Sequence, residues 1–411
     1  MAAVLVVTLG APSARAQVSQ VVAGSGIALG ERLVLHLGAG IEFRYDDNIF
    51  YVDRDKTGSF SFRFTPSVAL ATRPAARDGT RHKLDFKFDL GLDYNEFITT
   101  DSAIARHRQI GINAGMVLSA FSTGVFGFDL YDNFMRVSQP PYNLSTPYNL
   151  NRDTNELGVR LHFRPGGGRL IIDLNYGFGV DLWEEKLLQP FNLHYHRLAL
   201  RANWKFFPKT ALYLQAEYNP FVYFDSGQYQ HPNSNAFRLT LGLLGMITPK
   251  LSTELYLGYA NPFYASGATA HTGVGGVTLN WKPITITGIS LGYKHDFVNS
   301  IISNYYDADS VFLSVNQVMW RFNATARLQY QNLRFQGILP SIGVEPPTGR
   351  TDHNIQFSFR IDLPIKNFMA VSADYLLLWN SSTSSINYGA LGLFPVSYLK
   401  NQVGLRFTIN Y

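Results

Sequence analysis

The sequence predicts an all-β fold, a transmembrane antiparallel β-barrel of about eighteen strands (roughly 16–18) with short periplasmic turns and long external loops. Three observations carry this prediction. Apolar and polar residues alternate along most of the chain, short and long connections alternate, and aromatic residues gather at the strand ends. The composition agrees, because charged residues make up 16% and aromatic residues 14% of the chain, whereas soluble proteins carry about a quarter charged residues.

The N-terminus has the pattern of an export signal. A short apolar run, Val4–Leu9, precedes Ala14-Arg15-Ala16, which supplies the small residues of a cleavage site. We therefore expect a signal peptide at 1–16, a periplasmic N-terminal segment at 17–31 and an outer-membrane β-barrel at 32–411. A buried N-terminal helix or strand remains the alternative for the first sixteen residues. The chain has no Cys, so we expect neither disulfides nor a lipid anchor.

The clearest strand lies between Lys83 and Tyr94. Its apolar residues occupy one face of an extended chain, and its charged residues occupy the other face, namely Lys83, Asp85, Lys87 and Asp89. On a helix these charges would spread around every face and leave no apolar stripe. The segment is therefore predicted to be a strand with one face toward lipid and one toward a lumen.

The same period of two recurs from the first strand to the C-terminus. Segments of about ten residues are long enough for a tilted strand to cross a bilayer. The predicted strands are 33–45, 60–70, 83–94, 110–118, 125–131, 157–163, 170–182, 198–206, 212–218, 237–247, 251–259, 277–281, 285–293, 311–322, 324–330, 355–363, 369–379 and 403–411.

The connections between these strands alternate in length. Tight turns such as Arg164–Gly168 and Thr248–Lys250 join one end of the strand pairs. Long polar loops join the other end, at 132–155, 181–195, 221–235, 297–310, 333–351 and 380–398. Outer-membrane barrels have short periplasmic turns and long external loops, so we expect both termini in the periplasm.

Aromatic residues and the C-terminus indicate a lipid-facing wall. Aromatic girdles mark both interfaces of membrane barrels, and the predicted girdle residues are Tyr45, Tyr94, Tyr131, Trp183, Trp204, Tyr218, Tyr259, Trp281, Tyr293 and Trp379. The last strand alternates through Phe407 and Ile409 to a terminal Tyr411, and it resembles the C-terminal signal of barrel precursors. The expected partners are outer-membrane lipid, lipopolysaccharide and the barrel assembly machinery.

The polar faces predict a lumen lined with both signs of charge. Such a hydrated wall neutralises itself, and a slight basic excess predicts a weak anion preference. In addition to the four charges of the third strand, the predicted lumen residues are Glu42, Arg44, Arg63, Arg160, Asp173, Arg201, Glu217, Arg238, Glu254, Arg327, Arg360, Asp374 and Arg406.

The common nucleotide- and metal-binding motifs are missing from the sequence. It contains no GxxxxGK[ST], HExxH or EF-hand pattern, so we expect neither an enzyme nor a cofactor or metal. Its basic residues are scattered singly and form no run, which argues against nucleic-acid binding despite a formal net charge of +5.

Tyr45-Asp46-Asp47-Asn48 ends the first predicted strand. Its carboxylate and amide groups suit loop ordering through side-chain to backbone hydrogen bonds, and they also suit a cation site. With Phe60–Thr65 running into Pro66, the motif resembles the β-barrel porin family found in exopolysaccharide operons, whose members are described as exopolysaccharide-biosynthesis outer-membrane proteins. The resemblance implies a barrel that serves as a conduit for secreted polysaccharide and brings no catalytic residues.

The loop at 132–155 joins the fifth and sixth predicted strands and contains Tyr142 and Tyr148 in two Pro-Tyr-Asn-Leu repeats. One hypothesis places it inside the lumen, where the two rings stack on sugars. The other makes it an ordinary external loop stiffened by proline. The sequence thus favours a porin-like channel for small hydrophilic solutes or a role in exopolysaccharide export. A non-conducting surface or scaffold barrel, whose loops bind polysaccharide or an export partner, is the alternative.

Overall fold

The structure, a computed structural model, describes residues 24–73, 83–105, 107–138, 151–225, 232–267, 272–300, 303–338, 344–345, 349–387 and 393–411. Eighteen strands form one closed antiparallel barrel. They are β1 (Leu33–Asp46), β2 (Ser59–Thr72), β3 (Leu84–Ile98), β4 (Gln109–Ala120), β5 (Phe126–Ser138), β6 (Asn151–Phe163), β7 (Leu170–Trp183), β8 (Leu193–Phe207), β9 (Thr210–Tyr223), β10 (Ser234–Thr248), β11 (Leu251–Asn261), β12 (Thr272–Ile284), β13 (Thr287–Asn299), β14 (Ser303–Met319), β15 (Phe322–Ile338), β16 (Thr351–Lys366), β17 (Met369–Ser382) and β18 (Tyr398–Asn410).

The barrel closes where the last strand pairs with the first. The register runs from Gly38 opposite Asn410 to Asp46 opposite Gln402. Closure leaves no open edge with unpaired backbone groups, which a membrane wall requires. The predicted fold class and strand number are confirmed.

The described part of the N-terminal segment folds onto this closure. The short strand Ile27–Leu29 forms a hairpin with the start of β1, and the amide of Gly24 donates to the carbonyl of Asn410 at 2.9 Å. The predicted signal peptide at 1–16 lies outside the described residues.

Few other elements occur among the described residues. Helix α1 spans Ser102–Ala105, and short 3₁₀ turns span Gly166–Gly168 and Lys186–Phe191. A small three-stranded sheet joins two long loops through Val344–Glu345, Ser385–Asn387 and Leu393–Pro395. In the described ranges, no helix is long and apolar enough to cross a membrane.

The outer wall is an apolar surface. Along β1 the exposed residues are Leu37, Ile41, Phe43 and Tyr45, whereas Glu42 between them is only 1% exposed. Most of the predicted girdle side chains lie exposed near strand ends, but two do not. Tyr131 and Trp183 are buried and lie on the inward, polar face of their strands, so their girdle assignment was wrong.

The two ends of the barrel differ. We call the end that carries the tight turns and both described termini the turn end, and the other the loop end. Strands reach further toward the loop end than the sequence predicted, and residues 297–310 are mostly strand rather than loop. Tyr306 of β14 lies opposite Phe335 of β15 and contacts its ring at 5.1 Å. This aromatic pairing extends the hairpin through a segment whose Asn, Ser and Asp content suggested a loop.

Candidate channel and its mouth

The polar face of the strands lines the interior. Arg238 of β10 and Asp296 of β13 form an ion pair at 2.6 Å although two strands lie between them. Tyr213 of β9 donates to Glu254 of β11 at 3.2 Å across one intervening strand. Contacts that skip strands form across a concave surface, so these side chains lie inside the barrel.

A cluster of charges surrounds Glu42 where the barrel closes. Arg406 of β18 donates to Glu42 through Nε at 2.7 Å. Arg44 of β1 lies at 2.5 Å and Arg63 of β2 at 3.8 Å from the same carboxylate. Two further acids balance the arginines, because Arg63 binds Asp93 and Arg44 lies 3.6 Å from Asp374. We call these six residues the Glu42 cluster.

The Glu42 cluster continues onto β16. Arg360 lies opposite Asp374 in the strand register, and it pairs with Asp362 at 2.8 Å. Asp93 and Asp362 were not among the candidate site residues. Both continue the period-two pattern of an already predicted strand, so extending the polar face by one or two positions would have found them.

A second group of charges lies on β5, β6 and β7. His162 bridges two carboxylates, with Nδ1 at 2.6 Å from Asp173 and Nε2 at 3.0 Å from Asp129. Arg160 lies 3.5 Å from Asp129. The structure thus brings together the predicted Arg160 and Asp173 through His162 and Asp129, which were not among the candidate site residues. Both lie on the polar face of predicted strands, but their contact depends on the register between strands.

The other predicted lumen residues are spread around the wall. Arg201 lies 3.9 Å from the ring centre of Tyr213, and Arg327 lies 4.4 Å from that of Phe312. Glu217 is buried next to Gln215. Lys87 and Asp89 form an exposed pair at 3.2 Å. Within the described residues, Lys83 and Asp85 make no ion pair.

Inward tyrosines lie against glycines of the neighbouring strand. A Cβ at Gly242 would fall 2.2 Å from the ring of Tyr213, and one at Gly179 would fall 2.1 Å from the ring of Tyr195. The hydroxyls reach acids, since Tyr195 donates to Glu156 at 3.1 Å. The glycines therefore allow aromatic rings to lie close to the wall without closing the lumen.

The Asp46-Asp47-Asn48 motif ties the first strand to the last. Asp46 accepts from the Asn48 amide at 3.0 Å and from Lys400 Nζ at 2.7 Å. Asp47 accepts from the amide and the side-chain Nδ2 of Asn401 at 2.6 and 2.7 Å. Because all four carboxylate oxygens face N–H donors, the geometry favours loop ordering over a cation site.

The loop between β1 and β2, at 47–58, bends over the inner face of β18. Asn48 donates to the carbonyl of Leu399 at 3.0 Å. The Tyr51 ring lies 3.8 Å from Lys400 Nζ and contacts the Tyr398 ring edge-on at 5.1 Å. Lys400, Tyr398 and Arg406 lie on the same inward face of β18. Because the first loop contacts two of these residues, it narrows the mouth at the loop end.

The neighbouring loop between β3 and β4 supports the first loop. The imidazole of His107 contacts the Phe50 ring edge-on at 5.2 Å. Burial of His107, together with the nearby ammonium of Lys400, lowers its pKa below the ordinary value of 6.5. The contact therefore favours the neutral imidazole.

On the opposite side, the loop between β7 and β8, at 184–192, also bends inward. Its 3₁₀ turn places Leu188 and Phe191 in a buried apolar cluster with inward residues of β7 and β9. We call this set the mouth cluster, which comprises Trp183, Leu188, Phe191, Phe221, Tyr223, Ala260, Tyr264, Val274, Phe297 and Tyr305. Tyr142 and Tyr148 of the predicted constriction loop lie outside the described residues, whereas its ends, 132–138 and 151–155, belong to β5 and β6 rather than to a loop.

Comparison with known proteins yields structural neighbours only. No protein-family model and no curated protein sequence matches the chain. Pseudomonas aeruginosa OccK2 (OpdF) in complex with glucuronate has a TM-score of 0.52 at 10% identity, over 92% of this chain and 98% of that one. At this identity, the similarity between the two chains concerns the fold alone. P. aeruginosa OpdK with vanillate gives 0.51 at 9% identity, over 92% and 99%, and Acinetobacter baumannii OccAB3 gives 0.50 at 10%, over 93% and 100%.

The C-terminal residues lie on the outer wall. Ile409 and Tyr411 are exposed, whereas Thr408, between Phe407 and Ile409, is buried. Phe407 lies on the same outward face of the strand as Ile409. Tyr411 also exchanges backbone hydrogen bonds with Leu37 of β1, at 2.8 and 3.1 Å. The alternation that suggested an assembly signal thus forms part of the closing edge.

Proposed function

We propose that this protein is an outer-membrane channel for hydrophilic solutes. The observation that carries the proposal is the inner wall, where ion pairs such as those of the Glu42 cluster replace an apolar core. A barrel of this strand number encloses an aqueous channel unless the lumen is filled, and charges inside such a barrel are stable when water and counter-charges surround them. The apolar outer wall supports a membrane location.

The two ends of the barrel support an orientation in the membrane. Outer-membrane barrels place short turns in the periplasm and long loops outside, so the proposal assigns the turn end and both described termini to the periplasm. The first loop and the mouth cluster then lie at the cell surface. Solutes that enter from outside the cell pass them before reaching the charged middle of the lumen.

The solute class is the finer part of the proposal. The Tyr-Asp-Asp-Asn motif resembles that of barrels from exopolysaccharide operons, so we add polysaccharide or its fragments to the small hydrophilic solutes that the channel carries. The inward tyrosines support this assignment because aromatic rings suit the C–H faces of sugars. Among the structural neighbours, OccK2 was solved with the sugar acid glucuronate.

Conductance in planar bilayers tests the channel. We expect stepwise insertion of open channels from purified protein, and a larger conductance when Leu188→Ser and Phe191→Ser loosen the mouth cluster. Phe224→Ser is the matched control, because Phe224 is 57% exposed at the loop end and lies outside the cluster. A sealed bilayer with protein that is folded by circular dichroism would contradict the proposal.

A second candidate function is a scaffold whose loops bind a surface polymer. The three-stranded sheet formed by two long loops favours it, since paired strands order a surface that a simple pore does not need. Deleting 383–396 separates the two functions. A channel keeps its conductance after this deletion, whereas a scaffold loses retention of the protein on a polysaccharide column and shows no conductance before or after.

A further inference from the structure

Basic side chains form neighbouring pairs at the turn end. In each pair, a turn residue just before one strand lies next to a residue at the end of the adjacent strand, one position beyond the last residues paired in the register. The three pairs are Arg32 with Arg73, Arg169 with Lys205, and Lys250 with Lys282. We call them the three cation pairs.

Backbone hydrogen bonds fix each of these pairs. The amides of Arg73, Lys205 and Lys282 each donate at 2.7 Å to the carbonyl of the partner residue. The register beside them is regular, with Leu33 opposite Thr72, Leu170 opposite Trp204, and Leu251 opposite Trp281. Because a backbone hydrogen bond joins the two residues of each pair, each pair holds two cations close together.

Strand alternation places the strand members of two of these pairs on the inner face. Trp204 and Trp281 are 53% and 48% exposed on the outer wall. Lys205 and Lys282 are the next residues along those strands and therefore belong to the inner face. The pairs are spread around the barrel, between β1 and β2, β7 and β8, and β11 and β12.

The charges of the three pairs are not balanced as those deeper in the lumen are. Within the described ranges none of the six forms an ion pair, and Lys250 donates instead to the backbone carbonyl of Pro283 at 2.7 Å. In contrast, each arginine of the Glu42 cluster meets a carboxylate. Like charges held next to each other repel, and a bound anion removes this cost.

From this arrangement we infer that the turn end captures polyanionic glycan chains and guides them into the lumen. Eighteen strands spaced about 4.8 Å apart and tilted by about 40° give a wall about 35 Å across. A small anion reaches one pair, whereas a chain with repeated carboxylates reaches several and gains from multivalency. The inference rests on the proposed function, because it assigns a substrate class and an entry side to that channel.

Binding to polygalacturonate tests the inference without requiring conductance. The protein is placed in nanodiscs of phosphatidylcholine, and binding of fluorescent polygalacturonate is measured by anisotropy in 50 mM and 300 mM NaCl, with neutral dextran of equal length as the reference. We expect binding of polygalacturonate alone. We also expect at least a tenfold loss of affinity at the higher salt, since screening weakens contacts between exposed charges.

Variants with equal charge changes locate the binding. Arg32→Gln, Lys205→Gln and Lys250→Gln together leave one cation in each pair, and we expect affinity to fall at least tenfold. The control combines Arg54→Gln, Lys56→Gln and Lys186→Gln, which removes three exposed charges at the loop end and is expected to bind as wild type. Equal losses in both variants, or no binding by wild type, overturn the inference.

Two further outcomes keep the alternatives apart. If the six cations instead contact anionic lipid, phosphatidylglycerol discs will raise the melting temperature of wild type but not of the turn-end variant, and polygalacturonate will not bind; this result overturns the inference. Protein that conducts ions but binds no polygalacturonate also overturns it and leaves the channel intact. If the protein binds polygalacturonate but never conducts ions, the result supports glycan capture at the turn end and contradicts the channel.

Discussion

Glu42→Gln is expected to destabilise the barrel strongly. The carboxylate is 1% exposed and accepts from Arg406, which is 7% exposed. Arg44 lies at 2.5 Å on its other oxygen. Gln keeps the shape and removes the charge, so buried guanidinium groups lose their nearest anion. Breaking a buried ion pair by removing one partner costs about 3–5 kcal/mol, and we expect the free energy of unfolding to fall by this amount.

A double-mutant cycle measures the interaction itself. The free energy of unfolding is obtained from guanidinium titrations of protein in lipid vesicles, followed by tryptophan fluorescence, for wild type, Glu42→Gln, Arg406→Gln and the double variant. We expect a coupling energy of at least about 2 kcal/mol, since the double variant leaves neither charge unpaired. The matched control is Lys87 with Asp89, whose side chains are 64% and 42% exposed at 3.2 Å. Exposed pairs couple by less than about 1 kcal/mol. Equal coupling energies in the two cycles would refute the reasoning.

Three further changes test other parts of the structure. Asp47→Ala removes both carboxylate acceptors that hold the last strand, and we expect urea titration to show that the free energy of unfolding falls by about 1–3 kcal/mol. An unchanged urea midpoint would contradict the loop-ordering role. Because the pKa of His107 is lowered from 6.5, its contact with Phe50 is fully stable above pH 6.5 and weakens as the pH falls below 6.5. As the pH falls, a fluorophore attached to Asp55→Cys should become more mobile in the protein that keeps His107, but not in the His107→Gln variant. Gly242→Ala places a Cβ 2.2 Å from the Tyr213 ring, so we expect a lower melting temperature, corresponding to a loss of about 1–3 kcal/mol in the free energy of unfolding. An unchanged melting temperature would show that the ring moves freely.

The fold could be predicted from the sequence because its main signal is local. Period-two alternation in a segment such as Lys83–Tyr94 decides strand or helix without knowledge of the rest of the chain. The same signal failed at 297–310, where Tyr305 and Tyr306 are held in strands by partners on β15. Polar residues around them look like a loop until the partner strand is known.

The candidate site was less accessible from the sequence. The Asp46-Asp47-Asn48 motif left two hypotheses, because its donors come from β18, and Asn401 is 354 residues away from Asp47. The inward bend of the loop at 184–192 was also missed. Its signal was Leu188 and Phe191, two apolar residues within a connection that was expected to be external and polar.

The closure of the barrel has a consequence for the order of folding. Arg63 reaches Asp93 over 30 residues, whereas Arg406 reaches Glu42 over 364. Chain-entropy scaling makes the longer contact costlier to form by about 2 kcal/mol, so the junction of β1 and β18 is the last to form. A chain cut short during synthesis would leave the acids of β1 without their donors. Buried charge contacts thus stabilise the step that requires both the first and the last strand.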